Sequence, residues 1–427
     1  MIFFYRVLST ILYPVLIILI FFRRLINKED QVRYKEKIFP SYFDIKKKKD
    51  LSLIWFHAAS IGELKSILPV ISNLNKKNDN FEFLITTMTL SSSLIAKEET
   101  GHIKNIQHRF FPVDVYFIIE KFINLWSPKA IFLVDSEIWP NLIFLAKKKK
   151  IPIGLINARI TKKTFKRWRY IKSFGKKIFS TFGICLSSNK ETVEYLKELN
   201  ANNIIYIGNL KFANSEDPKL IPNTYKDLLE NKKFWLAAST HKGEEMFCLK
   251  THIILKKTLE DFVTIIAPRH IDRVGEIKEL CESLKLKYQI LNKDELINNS
   301  KEIIIINSFG VLSSFFKFAK CVFIGKSVIK KLQKVGGQNP LDAALLGCKI
   351  YHGPYVYNFK EVYDILRDNN ISKEVNTPQL LAENLINDIK NLSFQRNNNS
   401  RKLIELNQKT FEGNMTAINN FLSNEII

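Results

Sequence analysis

Short β-branched and aromatic runs alternate with amphipathic stretches along nearly the whole chain, and this alternation stops once and then restarts. Before the interruption, Leu51–Phe56, Phe81–Thr86, Ile106–Phe111, Ala130–Val134, Ile153–Ile156, Ile184–Leu186 and Ile204–Ile207 read as strands. Between them, Glu63–Asn75, Val115–Leu125, Asn141–Lys149 and Lys190–Leu199 carry helical spacing. Lys211–Pro222 (KFANSEDPKLIP) then breaks the pattern with polar residues and prolines. After it, Phe234–Ala238, Val263–Ala267, Tyr288–Leu291, Ile303–Ile306, Cys321–Ile324 and Lys349–Tyr351 read as strands again. Strand-then-helix repetition implies a parallel sheet with helices on both faces. A chain of 427 residues also exceeds the usual reach of one hydrophobic core. The expected class is α/β, with two doubly wound, Rossmann-like domains over 31–215 and 216–427 and a cleft between them. Ligands in such sheets bind beyond the carboxyl ends of the strands, so residues that follow strands are the candidates for chemistry.

The first thirty residues depart from this pattern. Val7–Phe22 (VLSTILYPVLIILIFF) is apolar apart from Ser9 and Thr10, and Arg23, Arg24, Lys28, Arg33 and Lys35 follow. As one helix the run spans roughly 24 Å, short of the roughly 30 Å hydrocarbon core of a bilayer. No small-residue cleavage site follows it, so residues 1–30 are expected to be a retained anchor. The basic cluster places the remaining body on the cytoplasmic side. A helix lying in the interface fits the same residues. This segment is expected to serve attachment and not catalysis.

The formal charge of +23, from 65 basic and 42 acidic residues, suits an anionic surface or substrate. No aromatic–basic platform accompanies it, so nucleic acid is not an expected partner. Five cysteines lie far apart, with neither a disulfide framework nor a zinc-site spacing. The sequence contains no G-x-x-x-x-G-K-[ST], H-E-x-x-H, G-x-S-x-G or D-x-D, and the histidines show no tight ligand spacing. Any sugar-nucleotide enzyme lacking D-x-D would have to neutralise its leaving phosphate with Arg, Lys and helix termini in place of a metal.

Several strand ends carry chemistry-bearing residues. HAASIGELKS (His57–Ser66) places Glu63 in the first turn of a helix, where a carboxylate serves the helix dipole as readily as it serves catalysis. VDSEIWPNL (Val134–Leu142) offers Ser136 and Glu137 as caps before Pro140, or Glu137 as a functional acid. GNLKF (Gly208–Phe212) brings Lys211 to a strand end. In the second half, AASTHKGEE (Ala237–Glu245) opens a helix whose N-terminus suits an anion, with Ser239 or Thr240 as alternative caps. APRH (Ala267–His270) puts Arg269 where a guanidinium can grip phosphate. In VGGQNPLDAALLG (Val335–Gly347), Gly336 and Gly337 are expected to let a phosphate approach the backbone.

Taken in order, these clusters resemble the Kdo (3-deoxy-D-manno-octulosonic acid) transferases of Gram-negative bacteria. T-T-M-T at Thr86–Thr89, FPVD at Phe111–Asp114 and GPYVYNF at Gly353–Phe359 extend the resemblance over nearly the whole chain. It implies a GT-B fold with the acceptor on the first domain and CMP-Kdo on the second. It also implies inversion at the anomeric carbon, no metal and no resident cofactor, since CMP-Kdo is a co-substrate. The implied partners are CMP-Kdo, a lipid A precursor and the anionic surface of the inner membrane, where one N-terminal anchor holds a cytoplasm-facing body. By motif, Glu63 resembles the family's general base, and Glu137 and Lys211 resemble its transition-state stabilisers. Pro268, Arg269, Phe309, Gly310, Val311, Asn339, Pro340, Leu341 and Asp342 fall at its nucleotide contacts. The chain departs from the family at Asn307 and Val311, where acids are usual, and at Gln338 and Asp342, where His and Glu are usual. The rival expectations are another GT-B transferase using a UDP-sugar on a lipid acceptor, and a non-enzymatic basic membrane protein.

Overall fold

The computed structural model describes residues 1–427 except 40, 41, 43–49, 102, 211–220, 222–224, 226–228, 230, 231, 294, 299, 391–395 and 427. The chain divides into two compact units, Met1–Asn214 with Asn407–Ile427, and Ser215–Leu406.

The first unit is built on seven strands: β1 (Ser52–His57), β2 (Phe81–Thr87), β3 (Ile106–Phe110), β4 (Ala130–Val134), β5 (Ile153–Ala158), β6 (Ile184–Ser187) and β7 (Ile204–Tyr206). Their order is β3-β2-β1-β4-β5-β6-β7, and every neighbouring pair is parallel. Alternate side chains feed different cores: Leu53 and Trp55 join one cluster, Ile54 and Phe56 the other. A strand buried on both faces needs an unbroken apolar run, which is why β1 reads LIWF without a polar break. The chain leaves β1 in one direction across the sheet and returns at β4 in the other. The carboxyl ends of these two strands therefore frame the crevice where a doubly wound sheet binds its ligand.

The last residues of the chain belong to this same unit. Met415, Ile418, Phe421 and Leu422 lie in the core cluster of Phe56 and Phe132, with the Phe421 and Phe132 rings 5.6 Å apart. The sequence reading grouped 216–427 together; the apolar face of Asn407–Ile427 is instead spent on the first sheet.

At the other terminus, Ile2–Ile11 and Tyr13–Leu25 form two helices bent by 51°, where one helix was expected. Pro14 lies in the first turn of the second helix. It lacks an N–H and crowds the preceding carbonyls, so the helix restarts there. No single helix among the described residues is long and apolar enough to cross a membrane, and the bent pair passes that test only together. Its two faces differ. Residues Ile2, Tyr5, Arg6, Ser9, Tyr13, Leu16 and Ile17 are half-buried and Ile20 is buried, whereas Phe3 and Phe4 are 69% and 72% exposed.

The second unit repeats the plan with β8 (Lys233–Thr240), β9 (Phe262–Pro268), β10 (Tyr288–Leu291), β11 (Ile303–Ile306), β12 (Cys321–Ile324), β13 (Lys349–His352) and β14 (Ser372–Glu374). The order β10-β11-β9-β8-β12-β13-β14 is again all parallel, and its reversal lies between β8 and β12. Trp235, Ala237, Ile266, Ile305 and Phe323 form the centre of its core.

Candidate active site

Glu63 and Glu137 follow β1 and β4, the two strands that frame the first crevice. Ser60 caps the helix Ile61–Lys77 by accepting the Glu63 N–H. The Glu63 side chain turns back over the loop: Ala59 N–H donates to Oε2 at 2.7 Å and the Ser60 hydroxyl donates to Oε1 at 2.8 Å. A capping role and a poised carboxylate thus coexist in one residue. Burial pushes the Glu63 carboxyl up to about 7, with the charges of Glu137 and Asp135 adding to the rise, while its bonds to Ser60 and Ala59 oppose it. Near neutrality such a group is part ionised and can take a proton, as a general base must.

Glu137 accepts the Trp139 indole N–H at 3.0 Å and lies 3.4 Å from His57 Nε2. His57 ends β1 and is fully buried. Its ring stacks on Phe111 at 3.9 Å, and its Nδ1 lies 3.1 Å from the Thr86 carbonyl and 3.0 Å from the Thr86 hydroxyl. That hydroxyl also accepts the Trp55 indole N–H at 2.9 Å. Between β4 and Glu137, Asp135 adopts a left-handed backbone with φ of 61°. His57 and Asp135 were not singled out in the sequence, where each is one more residue of a strand-end motif. Only the fold sets them beside the two glutamates.

The sequence reading offered Ser136 or Glu137 as the cap of the helix Pro140–Lys148, and the structure corrects it. The N-cap residue is Trp139, without a side-chain bond, and the free N–H groups go to Asp114. Asn141 N–H donates to Asp114 Oδ2 and Leu142 N–H to Oδ1, both at 3.0 Å. Farther along the sheet, Leu210 N–H donates to Asn157 Oδ1 at 2.9 Å, which fastens the GNL segment to β5. Lys211, the next residue, lies outside the described residues.

In the second unit, Pro268 closes β9 and Arg269 follows it, exposed, its N–H bonded to the Thr240 carbonyl at 3.0 Å. Neither Ser239 nor Thr240 caps the helix Glu244–Lys256, whose N-cap is Gly243. Glu244 itself occupies the loop instead. Its carboxylate accepts the N–H groups of His241, Lys326, Ser327 and Val328 at 2.6–3.0 Å and so ties the β8 and β12 strand ends together. Phe309 is 68% exposed, Gly310 has φ of 78°, and Val311 begins the short helix Leu312–Phe316. Asn339 accepts the Leu341 N–H at 3.1 Å; Pro340 and Leu341 are buried, and Asn339 and Asp342 are exposed. Gly336 and Gly337, expected to let a phosphate approach the backbone, are buried. A Cβ on Gly336 would meet the Tyr355 carbonyl oxygen at 2.1 Å, so the small residues serve close packing of two loops. The topology thus sets the remaining donor-half candidates after β9, β11 and β12, on the carboxyl side of the second sheet.

Similarities to known proteins agree with this arrangement. Residues 32–214 match the family model described as 3-Deoxy-D-manno-octulosonic-acid transferase (kdotransferase). The 3-deoxy-D-manno-octulosonic acid transferase of Rickettsia bellii is 31% identical over 98% of this chain and 99% of its own. That of Haemophilus influenzae is 28% identical over 76% of each. Among solved structures, a glycosyltransferase from Rickettsia africae aligns with a TM-score of 0.55 at 12% identity, over 88% of this chain and 98% of its own. A UDP-GlcNAc 2-epimerase from Neisseria meningitidis aligns with a TM-score of 0.52 at 12% identity, over 84% and 100%. A transferase and an epimerase share this two-sheet α/β architecture, so the fold alone does not choose the reaction. The full-length sequence relationship, joined to the acidic loops after β1 and β4, does choose: the chain belongs to the 3-deoxy-D-manno-octulosonic acid transferase family.

Proposed function

We propose that this chain is an inverting glycosyltransferase that moves Kdo from CMP-Kdo to a hydroxyl of a lipid A precursor, lipid IVA, in lipopolysaccharide core biosynthesis. The observation that carries this reading is Glu63, a carboxyl held at the crevice of the first sheet and pushed up to about 7 by burial and its acidic neighbours. The acceptor oxygen forms a bond to the anomeric carbon of Kdo, the bond from that carbon to the phosphate oxygen breaks, and CMP departs. Glu63 takes the proton lost by the acceptor hydroxyl. Glu137 and Lys211 act as transition-state stabilisers. Pro268, Arg269, Phe309–Val311 and Asn339–Asp342 contact the nucleotide, with Arg269 and backbone N–H groups meeting the phosphate charge, without a metal or other cofactor. Asn307 and Val311, which are uncharged, leave this contact to Arg269 and the loop backbone.

The bent N-terminal pair holds the enzyme to the inner membrane from its cytoplasmic face. One face packed on protein and one apolar face turned outward fit a helix lying in the interface. Arg24 and Lys28 at its end each add about 1 kcal/mol of attraction to an anionic leaflet, whereas Arg23 is paired with Glu29.

Incubation with CMP-Kdo and lipid IVA, followed by mass spectrometry, tests the reaction: a mass increase by one or more Kdo residues is expected. CMP, and not UDP, is expected to raise the thermal midpoint. Protection by UDP alone would turn the assignment to another sugar nucleotide.

A further inference from the structure

The helix Pro140–Lys148 starts without a cap of its own. Both of its bonded first-turn N–H groups, those of Asn141 and Leu142, point to the buried carboxylate of Asp114. The loop that ends at this helix carries Glu137 and Trp139, so the place of Asp114 sets the place of that loop. Asp114 is held in turn from the N-terminal helix, because the Tyr5 hydroxyl donates to Oδ2 at 2.9 Å. A second tie runs alongside. Asn141 Nδ2 donates to the Asp114 carbonyl at 2.6 Å and to Ser9 Oγ at 3.3 Å. A third is the Arg6 guanidinium, 4.3 Å above the Tyr116 ring.

Residues 5, 6 and 9 share one helical face. A helix needed only for attachment has no use for three polar side chains on the face it turns toward the protein. Here Tyr5 and Ser9 reach the residues that seat the Glu137 loop, while Phe3, Phe4, Leu8 and Ile11 face outward. We infer that Tyr5 is a positioning residue, through which the first helix holds the loop carrying Glu137 by way of Asp114. The inference rests on the assignment of Glu137 to the site.

Tyr5→Phe in the full-length chain removes one hydroxyl and keeps the ring, so it tests the link with little threat to folding. Amide hydrogen exchange at Asn141 and Leu142 is expected to quicken. kcat is expected to fall about tenfold, the scale of a bond to a charged group, with KM for CMP-Kdo and the fraction bound to anionic vesicles unchanged. Unaltered exchange at both amides would overturn the inference, as would faster exchange with normal kcat. Reduced vesicle binding that accounts for the whole loss of rate would also overturn it, since the helix would then act by attachment alone. Glu137→Gln is measured beside it: normal turnover there would remove Glu137 from the site, and the exchange experiment would still decide the Tyr5–Asp114 link.

Discussion

In the proposed reaction, Glu63 joins stability to function through one ionisation. Its folded value near 7 stands above the usual 4.5, so the group favours the folded state fully below pH 4.5, and that contribution is lost as pH rises through 7. Glu63→Gln, always neutral, is expected to melt with wild type at about pH 4 and above it at about pH 8.5, as calorimetry at the two values would read. Its turnover is expected to fall about 100-fold or more, and its pH–rate profile to lose the acidic limb that wild type shows below about 7. Near-normal turnover would leave Glu63 as a cap alone. Arg269 is the proposed contact to the other substrate. Arg269→Ala is expected to weaken CMP binding by about 1.5–3 kcal/mol in titration calorimetry, and unchanged affinity would take it out of the site. Both residues were candidates in the sequence because each follows a strand, Arg269 at once and Glu63 across a short loop, where a doubly wound sheet puts its ligands. Asp114 as the cap of the helix Pro140–Lys148 was not legible. A cap is ordinarily sought within a few residues of the helix start, and this one comes from the preceding strand–helix unit.

At the scale of elements, the apolar runs announced their own strands, since strands buried on both faces tolerate few polar residues. β14, Ser372–Glu374, escaped for the complementary reason: it is short and polar, at the sheet's edge, and owes its form to pairing with β13. The N-terminal pair was legible as apolar but not as docked. Buried Lys37 bonds to Glu29 and donates to the Met88 carbonyl at 2.7 Å, while Arg23 bonds to Glu29 at 2.8 Å. A chain starting at Gln31 would strand the Lys37 ammonium without its carboxylate. It is expected to lose about 3–5 kcal/mol by denaturant titration, the cost of breaking a buried pair from one side. Full stability in that shortened chain would show that the pair contributes nothing. Residues 1–30, expected to serve attachment and not catalysis, thus also take part in the fold.

At the scale of the whole molecule, the duplication of one architecture was readable from a pattern that stops and restarts, but the path of the chain's end was not. Nothing in Asn407–Ile427 says which sheet its apolar side will cover, because that depends on the space left between helices already in place. Fully burying Ile418, Phe421, Leu422 and Met415 is worth about 1.5–3 kcal/mol each, together comparable to the net stability of a domain. A chain ending at Leu406 is expected to keep a melting transition for the second unit and lose that of the first. Two intact transitions would argue that the terminal segment is dispensable. The same feature orders events during synthesis. Domains ordinarily mature from the amino end as they leave the ribosome. Here part of one face of the first sheet, beside the helix Ile61–Lys77, waits for Asn407–Ile427, which is made after the whole second unit. The second unit, Ser215–Leu406, is complete in sequence before the first unit receives Asn407–Ile427. On nascent chains stalled before Asn407–Ile427 emerges, protease resistance should arise first in the second unit, leaving the first dependent on chaperones.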